Sequence, residues 1–209
     1  MRIIDPGVEL INAPTYDALL NTIEVAGRVC YKSEDKISRG SAEKFIMNVI
    51  SRGHEAVLEH GVLTVKFICD RGVSHEIVRH RIASYCQEST RYCNYSRDAF
   101  GNEITVIEPT GVNKGTPAYE SWKYAMNSCE EAYFNMLKEG CTPQEARSVL
   151  PNSLKTEIVV SMNPREWRHF FKLRCAKDAH PDMRVLALMA LDMFVENWPA
   201  LFEDLVNAN

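Results

Sequence analysis

The sequence has no Cys-x-x-Cys pair, no internal repeat, no low-complexity segment and no apolar run near the ~20 residues of a membrane-spanning helix. These absences set aside the zinc ribbon, the solenoid and the membrane span. Its cysteines (30, 69, 86, 93, 129, 141 and 175) are scattered and odd in number, which fits reduced thiols better than a disulfide framework. Positive charge is also scarce, with 24 Lys and Arg against 28 Asp and Glu. A net charge of −4 argues against a general binder of nucleic acid or membrane surfaces, since both need a basic footprint. The apolar start breaks at Asp5-Pro6, so no signal peptide is expected and the expected location is cytoplasmic. With 209 residues and no linker composition, a single domain spanning 1–209 is expected, long enough to bury a sizeable core.

What is present is periodicity. Val8 to Asn12 predicts a short strand, and Thr15 caps a helix with Leu19, Leu20, Ile23, Ala26 and Val29 on one face. Ser41 to Arg52 predicts a second helix, with Ala42, Phe45, Ile46, Val49 and Ile50 inward. Gly61 to Cys69 alternates Leu63, Val65, Phe67 and Cys69 to one side, and Leu154 to Met162 does the same; Ile104 to Ile107 is a shorter strand. Thr116-Pro117 opens a long helix, Thr142 to Glu145 is a capping box, and Asn163-Pro164 with Glu166 opens another helix. Asp182 to Trp198 is apolar on more than one face, so it is buried in the domain or in a subunit contact.

Two arginines fall where arginine is expensive. If Val73 to Ala83 is a helix of about 100° per residue, Val73, Ile77, Val78 and Ile82 form one face with Arg81 in its middle. Glu76, Arg79 and His80 then lie on the other side. In the helix after Asn163, Arg174 falls near the centre of the face made by Trp167, Phe170, Phe171, Leu173 and Cys175, opposite Arg165, His169 and Lys172. Each such guanidinium needs a buried acid or an anionic ligand. His54 and His60 invite a metal reading, but a zinc-protease helix needs histidines four apart, and six apart lie about 120° from each other. No metal site is expected.

Residues Arg79 to Arg91 concentrate three arginines, His80, Ser89 and Thr90 in an acidic chain. Arginine forks and short hydroxyls suit phosphate or carboxylate oxygens. Arg79-His80-Arg81, seven residues, then Ser89 resembles the signature of the flavin-dependent thymidylate synthases. Similar segments follow at His54-Glu55 with Glu59-His60, at Ala146 to Pro151, at Asn163-x-Arg165, at Leu173-Arg174-Cys175 and at Ala179 to Arg184. The resemblance therefore runs from about His54 to Arg184.

That resemblance implies an α+β fold with a central, mostly antiparallel sheet flanked by helices, and a homotetramer that shares its flavin between subunits. It implies the reductive methylation of dUMP to dTMP, a methyltransferase reaction of nucleotide biosynthesis. Methylenetetrahydrofolate gives the carbon, and FAD reduced by NADPH gives the hydride. The implied flavin residues are His54, Ala56 (through its backbone), Arg79, His80, Arg81, Gln87, Asn163, Arg165 and His169. The implied dUMP residues are Glu76, Arg79, Gln87, Ser89, Arg91, Arg147 and Arg174, with Arg174 activating the pyrimidine. No cysteine has an evident activating partner, so no covalent cysteine adduct is expected. Three positions depart from the family pattern: Glu76 stands where many members have glutamine, Gln87 where many have glutamate, and His169 where asparagine is frequent. The rival readings are a flavoenzyme that methylates uracil in RNA, and a nucleotide- or flavin-binding protein without turnover. The acidic composition counts against the first, and the intact Arg79, Ser89 and Arg174 set against the second.

Overall fold

The computed structural model describes residues 1–97 and 100–208. The fold is α+β. An antiparallel four-stranded sheet has the order β2 (Gly7–Asn12), β3 (Leu63–Asp70), β6 (Lys155–Met162), β4 (Ala83–Gln87). β1 (Arg2–Ile4) and β5 (Thr105–Ile107) form a separate parallel pair. The chain groups into two compact units; four of the five boundaries fall inside strands and the fifth, between Arg79 and His80, falls in the turn before β4.

The first unit comprises Met1–Gly7, Phe67–Arg79 and Cys86–Ile158. Its core is built on α4 (Pro117–Lys138), whose N-cap Thr116 accepts from Tyr119 N and whose Met126 and Tyr133 point inward. These pack with Tyr95, Ile104, Val106, Ala146 and Leu154. The strand residues follow the period of two: Phe67 and Cys69, then Thr156 and Ile158, are fully buried. α3 (Arg71–Ile77) follows β3 directly, with Asp70 Oδ1 accepting from Val73 N at 2.7 Å. The capping box at Thr142 and Glu145 forms as expected and starts α5 (Pro143–Ala146).

The second unit comprises Val8–Lys66, His80–Tyr85 and Val159–Asn209. It contains α1 (Tyr16–Tyr31), α2 (Ser41–Ser51), α6 (Pro164–Arg174), α7 (Pro181–Asn197) and α8 (Pro199–Phe202). Gly27 lets α1 approach α2, because a Cβ there would lie 2.5 Å from the Phe45 ring. Trp167 and Phe171 of α6 pack edge-on with Phe194, which meets Trp198 and Phe202 in turn; Phe170 packs edge-on with Trp167 and Phe171, and all are fully buried. Trp167 Nε1 donates to Leu63 O at 3.1 Å, which ties α6 to β3.

Some sequence expectations fail: Val29 and Leu173, each placed on an apolar helix face, are both 49% exposed. The helix expected over 73–83 stops at Ile77, and Ala83 to Gln87 form β4 instead. Arg81 is therefore exposed, Ile82 is 67% exposed, and His80, placed on the polar side by the helical period, is buried. The cause is tertiary: β4 takes the sheet edge next to β6, and strand pairing there overrides a helical period. The Tyr85 hydroxyl donates to His80 O and closes the turn between them.

Candidate active site

In the second unit, the candidate residues gather around His80. Its ring packs against Phe170 at 4.9 Å and His169 at 5.6 Å between centroids. Arg174 Nε donates to His80 Nε2 at 3.1 Å. Glu166 Oε1 lies 3.4 Å from the other ring nitrogen, Nδ1, without the alignment of a full hydrogen bond. Burial, then the nearby Arg174 and His169, lower the His80 pKa to about 4, so the ring is neutral at pH 7. Burial also raises the Glu166 carboxyl, against the opposing pull of His169 and Arg165.

The sequence explains why these groups meet. Asn163 caps α6 by accepting from Glu166 N at 2.8 Å, and Pro164 takes the first helical position. From that start Glu166, Phe170 and Arg174 fall four residues apart along one side of the helix, and His169 follows Glu166 by three. Asn163, Arg165, Glu166 and His169 also line a cavity of about 350 Å³ with Ile82 and Lys172. Arg165 pairs there with Glu59, and Lys172 Nζ lies 3.4 Å from Glu55.

His54 stands apart from this cavity lining. It follows Gly53, whose φ of +70° ends α2 in a Schellman turn, with His54 N donating to Val49 O at 2.9 Å. Its Nδ1 lies 3.5 Å from the Tyr31 hydroxyl. Ala56 is exposed in the turn Glu55–Glu59. A larger cavity of about 960 Å³, lined by residues including Glu43, Met47, Arg168 and Asp204, contains none of the residues expected from the sequence.

In the first unit, Arg147 NH1 donates to Thr90 Oγ1 at 3.3 Å, which brings Arg147 to the Ser89-Thr90-Arg91 turn. Ser89 Oγ accepts from Arg91 N at 3.3 Å, and the Arg91 guanidinium lies 5.4 Å from the Tyr92 ring centre. Ser89, Arg91 and Arg147 thus share one surface. Gln87 is held by buried hydroxyls: Nε2 donates to Ser74 Oγ at 2.9 Å and to Thr156 Oγ1 at 3.2 Å. Glu76 is half-buried on α3, and Arg79 is exposed beyond its end.

Residues 13–200 match the family model described as thymidylate synthase complementing protein. The chain belongs to this family. Its relatives include the flavin-dependent thymidylate synthase of Geobacter sulfurreducens, 36% identical over 189 residues, covering 87% of this chain and 80% of that one. The enzyme of the same name from Pyrococcus furiosus is 36% identical over 180 residues, covering 83% and 73%. Among solved structures, the UMP/dUMP methylase PolB of Streptomyces cacaoi, bound with 5-Br dUMP, superposes with a TM-score of 0.80. It is 22% identical and the match covers 97% of this chain and 96% of that one, so it shows the shared fold.

Membership of the thymidylate synthase complementing family gives the sequence motifs a common setting, but two side chains beside them escaped the sequence reading. Glu166 reads as a helix cap, and only the turn at His80 reveals its second neighbour. Arg168 is 2% exposed and pairs with Asp204 and Glu55. Its signal was available, because the helical wheel sets Arg168 at the edge of the apolar face, next to Cys175 and Phe171. Arg168 is thus a buried arginine whose acid partners, Asp204 and Glu55, lie at the edge of the core.

Proposed function

We propose that this chain converts dUMP to dTMP, taking the carbon from methylenetetrahydrofolate. The observation that carries this reading is the Arg79-His80-Arg81…Ser89 pattern within a chain whose residues 13–200 match one family. The names of the relatives support the same reaction. FAD, once bound and reduced by NADPH, supplies the hydride. The residues suit such a group, since exposed Arg79, Arg81 and Arg165 offer guanidinium forks for its phosphate oxygens. In the same reading the cavity at Asn163, Arg165 and His169 receives part of FAD, which is shared among the subunits of a homotetramer. His54 and Ala56 add contacts from the turn after α2, and Gln87 adds one from β4.

Arg174 activates the pyrimidine in this reading. A guanidinium beside the uracil ring favours its ionised form and makes C5 more nucleophilic, an electrostatic effect that grows where water is excluded. Ser89, Arg91 and Arg147 hold phosphate and sugar, and Glu76 reaches the sugar or base. No cysteine adduct is needed. Burial pushes the thiols of Cys69 and Cys175, the latter next to Arg174, up to about 12, so neither supplies a thiolate at neutral pH. The chain works as one domain in the cytoplasm, with the family match running through both compact units. Among the described residues no helix is long and apolar enough to cross a membrane.

The deciding experiment is mass spectrometry of dTMP from purified protein given dUMP, methylenetetrahydrofolate, NADPH and FAD at low oxygen. Product that requires both FAD and NADPH is expected. Bound flavin and continued NADPH oxidation without dTMP would refute dUMP as the acceptor.

A further inference from the structure

The nitrogen chemistry of His80 carries an inference about how Arg174 is aimed. A guanidinium is always protonated, so its Nε–H can only donate. His80 Nε2, 3.1 Å away, must therefore accept, and an accepting nitrogen carries no proton. A neutral imidazole then has its proton on Nδ1. That atom is buried, and it has no full hydrogen bond in the structure. The carboxylate oxygen nearest to it is Glu166 Oε1, at 3.4 Å. Glu166 is 9% exposed and is fixed at the third position of α6 by the Asn163 cap, so its reach is set by the backbone. The His80 ring itself is held between Phe170 and His169, and the turn carrying it is closed by Tyr85.

We propose that Glu166 is a positioning residue: by accepting from His80 Nδ1–H it holds the tautomer whose Nε2 accepts from Arg174, and so fixes the plane of that guanidinium. The inference rests on the reading of Arg174 as the pyrimidine-activating arginine for its functional consequence, but not for its chemistry. The same three donors, His80, Glu166 and His169, are close enough to suggest a metal site. The tautomer argues against it, because both ring nitrogens are then engaged, Nδ1 by its proton and Nε2 by Arg174, and a cation would have to displace one of them.

The test separates chemistry from function. A histidine side chain free in water favours the Nε2–H tautomer, so Arg174→Met removes one of the two influences that oppose it. In protein with 15N-labelled histidine, the His80 signals are identified by their loss in His80→Gln. Long-range 1H–15N spectra of Arg174→Met should still show a protonated Nδ1, and adding Glu166→Leu should move the proton to Nε2. An Arg174→Met protein already in the Nε2–H form would overturn the proposal, as would zinc taken up at equal stoichiometry and lost on His80→Gln. With Arg174 in place, Glu166→Leu should lower dTMP turnover about tenfold or more with FAD affinity within about threefold, and Glu166→Gln, which keeps an acceptor, should recover most of it. Equal loss in Leu and Gln variants that retain the fold by circular dichroism would mean the carboxylate acts by charge or packing, and would sink the positioning role. A parent enzyme that makes no dTMP would refute the assigned reaction while leaving the tautomer result standing.

Discussion

Arg168 grips both carboxylate oxygens of Asp204, NH1 to Oδ1 at 2.7 Å and NH2 to Oδ2 at 2.6 Å. The fork-to-fork geometry is the strong form of an ion pair, and the guanidinium side chain is 2% exposed. Arg168 also donates to Leu201 O, which pins α8 itself to α6. Asp204→Ala should cost about 2 to 4 kcal/mol in urea unfolding, because a buried guanidinium loses its main acid and keeps only Glu55 at 3.3 Å. Arg168→Met should cost less than Asp204→Ala, since Asp204 is half-exposed and left in water. The reverse order would show that the arginine stem, not the charge pair, holds this corner.

Gln87 gives a second test. Ser74 Oγ donates to Arg71 O at 2.8 Å and accepts from Gln87 Nε2, so the hydroxyl has no second proton to offer. Gln87→Glu puts a carboxylate where a donor is required, and both hydroxyl-bearing residues are fully buried. A loss of about 1 to 3 kcal/mol is expected in thermal or urea unfolding. A neutral outcome would mean the Gln87 amide is not anchored by Ser74 and Thr156.

The contrast between what was legible and what was not follows the range of the forces. Leu154, Thr156, Ile158, Val160 and Met162 are all buried, as their alternation predicted, because a sheet with one buried face writes its period into the sequence. The caps at Thr116, Thr142 and Asn163 were legible for the same local reason. Arg81 was misplaced because the apolar residues Val78 and Ile82 imitate a helical stripe but are 39% and 67% exposed. Their fate is decided by β4 joining the sheet edge, an event no local window contains. The meeting of Glu166 with His80 is likewise long-range, 86 positions apart, and Gln87 finds Thr156 across 69. Motif resemblance supplied candidate residues for the site, while their hydrogen-bond partners needed the fold.

Removal of Arg174 should separate binding from chemistry. Arg174→Ala is expected to retain FAD and lose about 100- to 1,000-fold in dTMP turnover, the scale of removing one preorganised charge donor. Near-normal turnover would end its role as the activating group. Arg79→Ala should act the other way, weakening FAD retention after gel filtration while leaving the fold intact by circular dichroism; unchanged flavin affinity would move Arg79 out of the cofactor site.

The buried His80 should make the fold acid-sensitive. Its pKa is about 4 in the folded protein against about 6.5 for an ordinary histidine, through burial first and then Arg174 and His169. The unfolded chain therefore binds this proton more tightly than the folded one. Stability contributed by the neutral ring is fully present above about pH 6.5 and is lost as pH falls towards about 4, a change on the order of 2 to 3 kcal/mol. The groups facing the ring give the loss a structural meaning. A protonated His80 would present two N–H donors, one of them against the Arg174 Nε–H it now accepts, so the bond to Arg174 must break. Glu166, whose own carboxyl is raised by burial, can offset part of that cost only while it stays ionised. Urea midpoints measured from pH 7.5 to 4 should fall more steeply in the parent than in His80→Gln, where the amide oxygen accepts from Arg174 but does not titrate. Parallel curves would mean that His80 titrates with an ordinary pKa, and would remove the reason for its neutrality at the site.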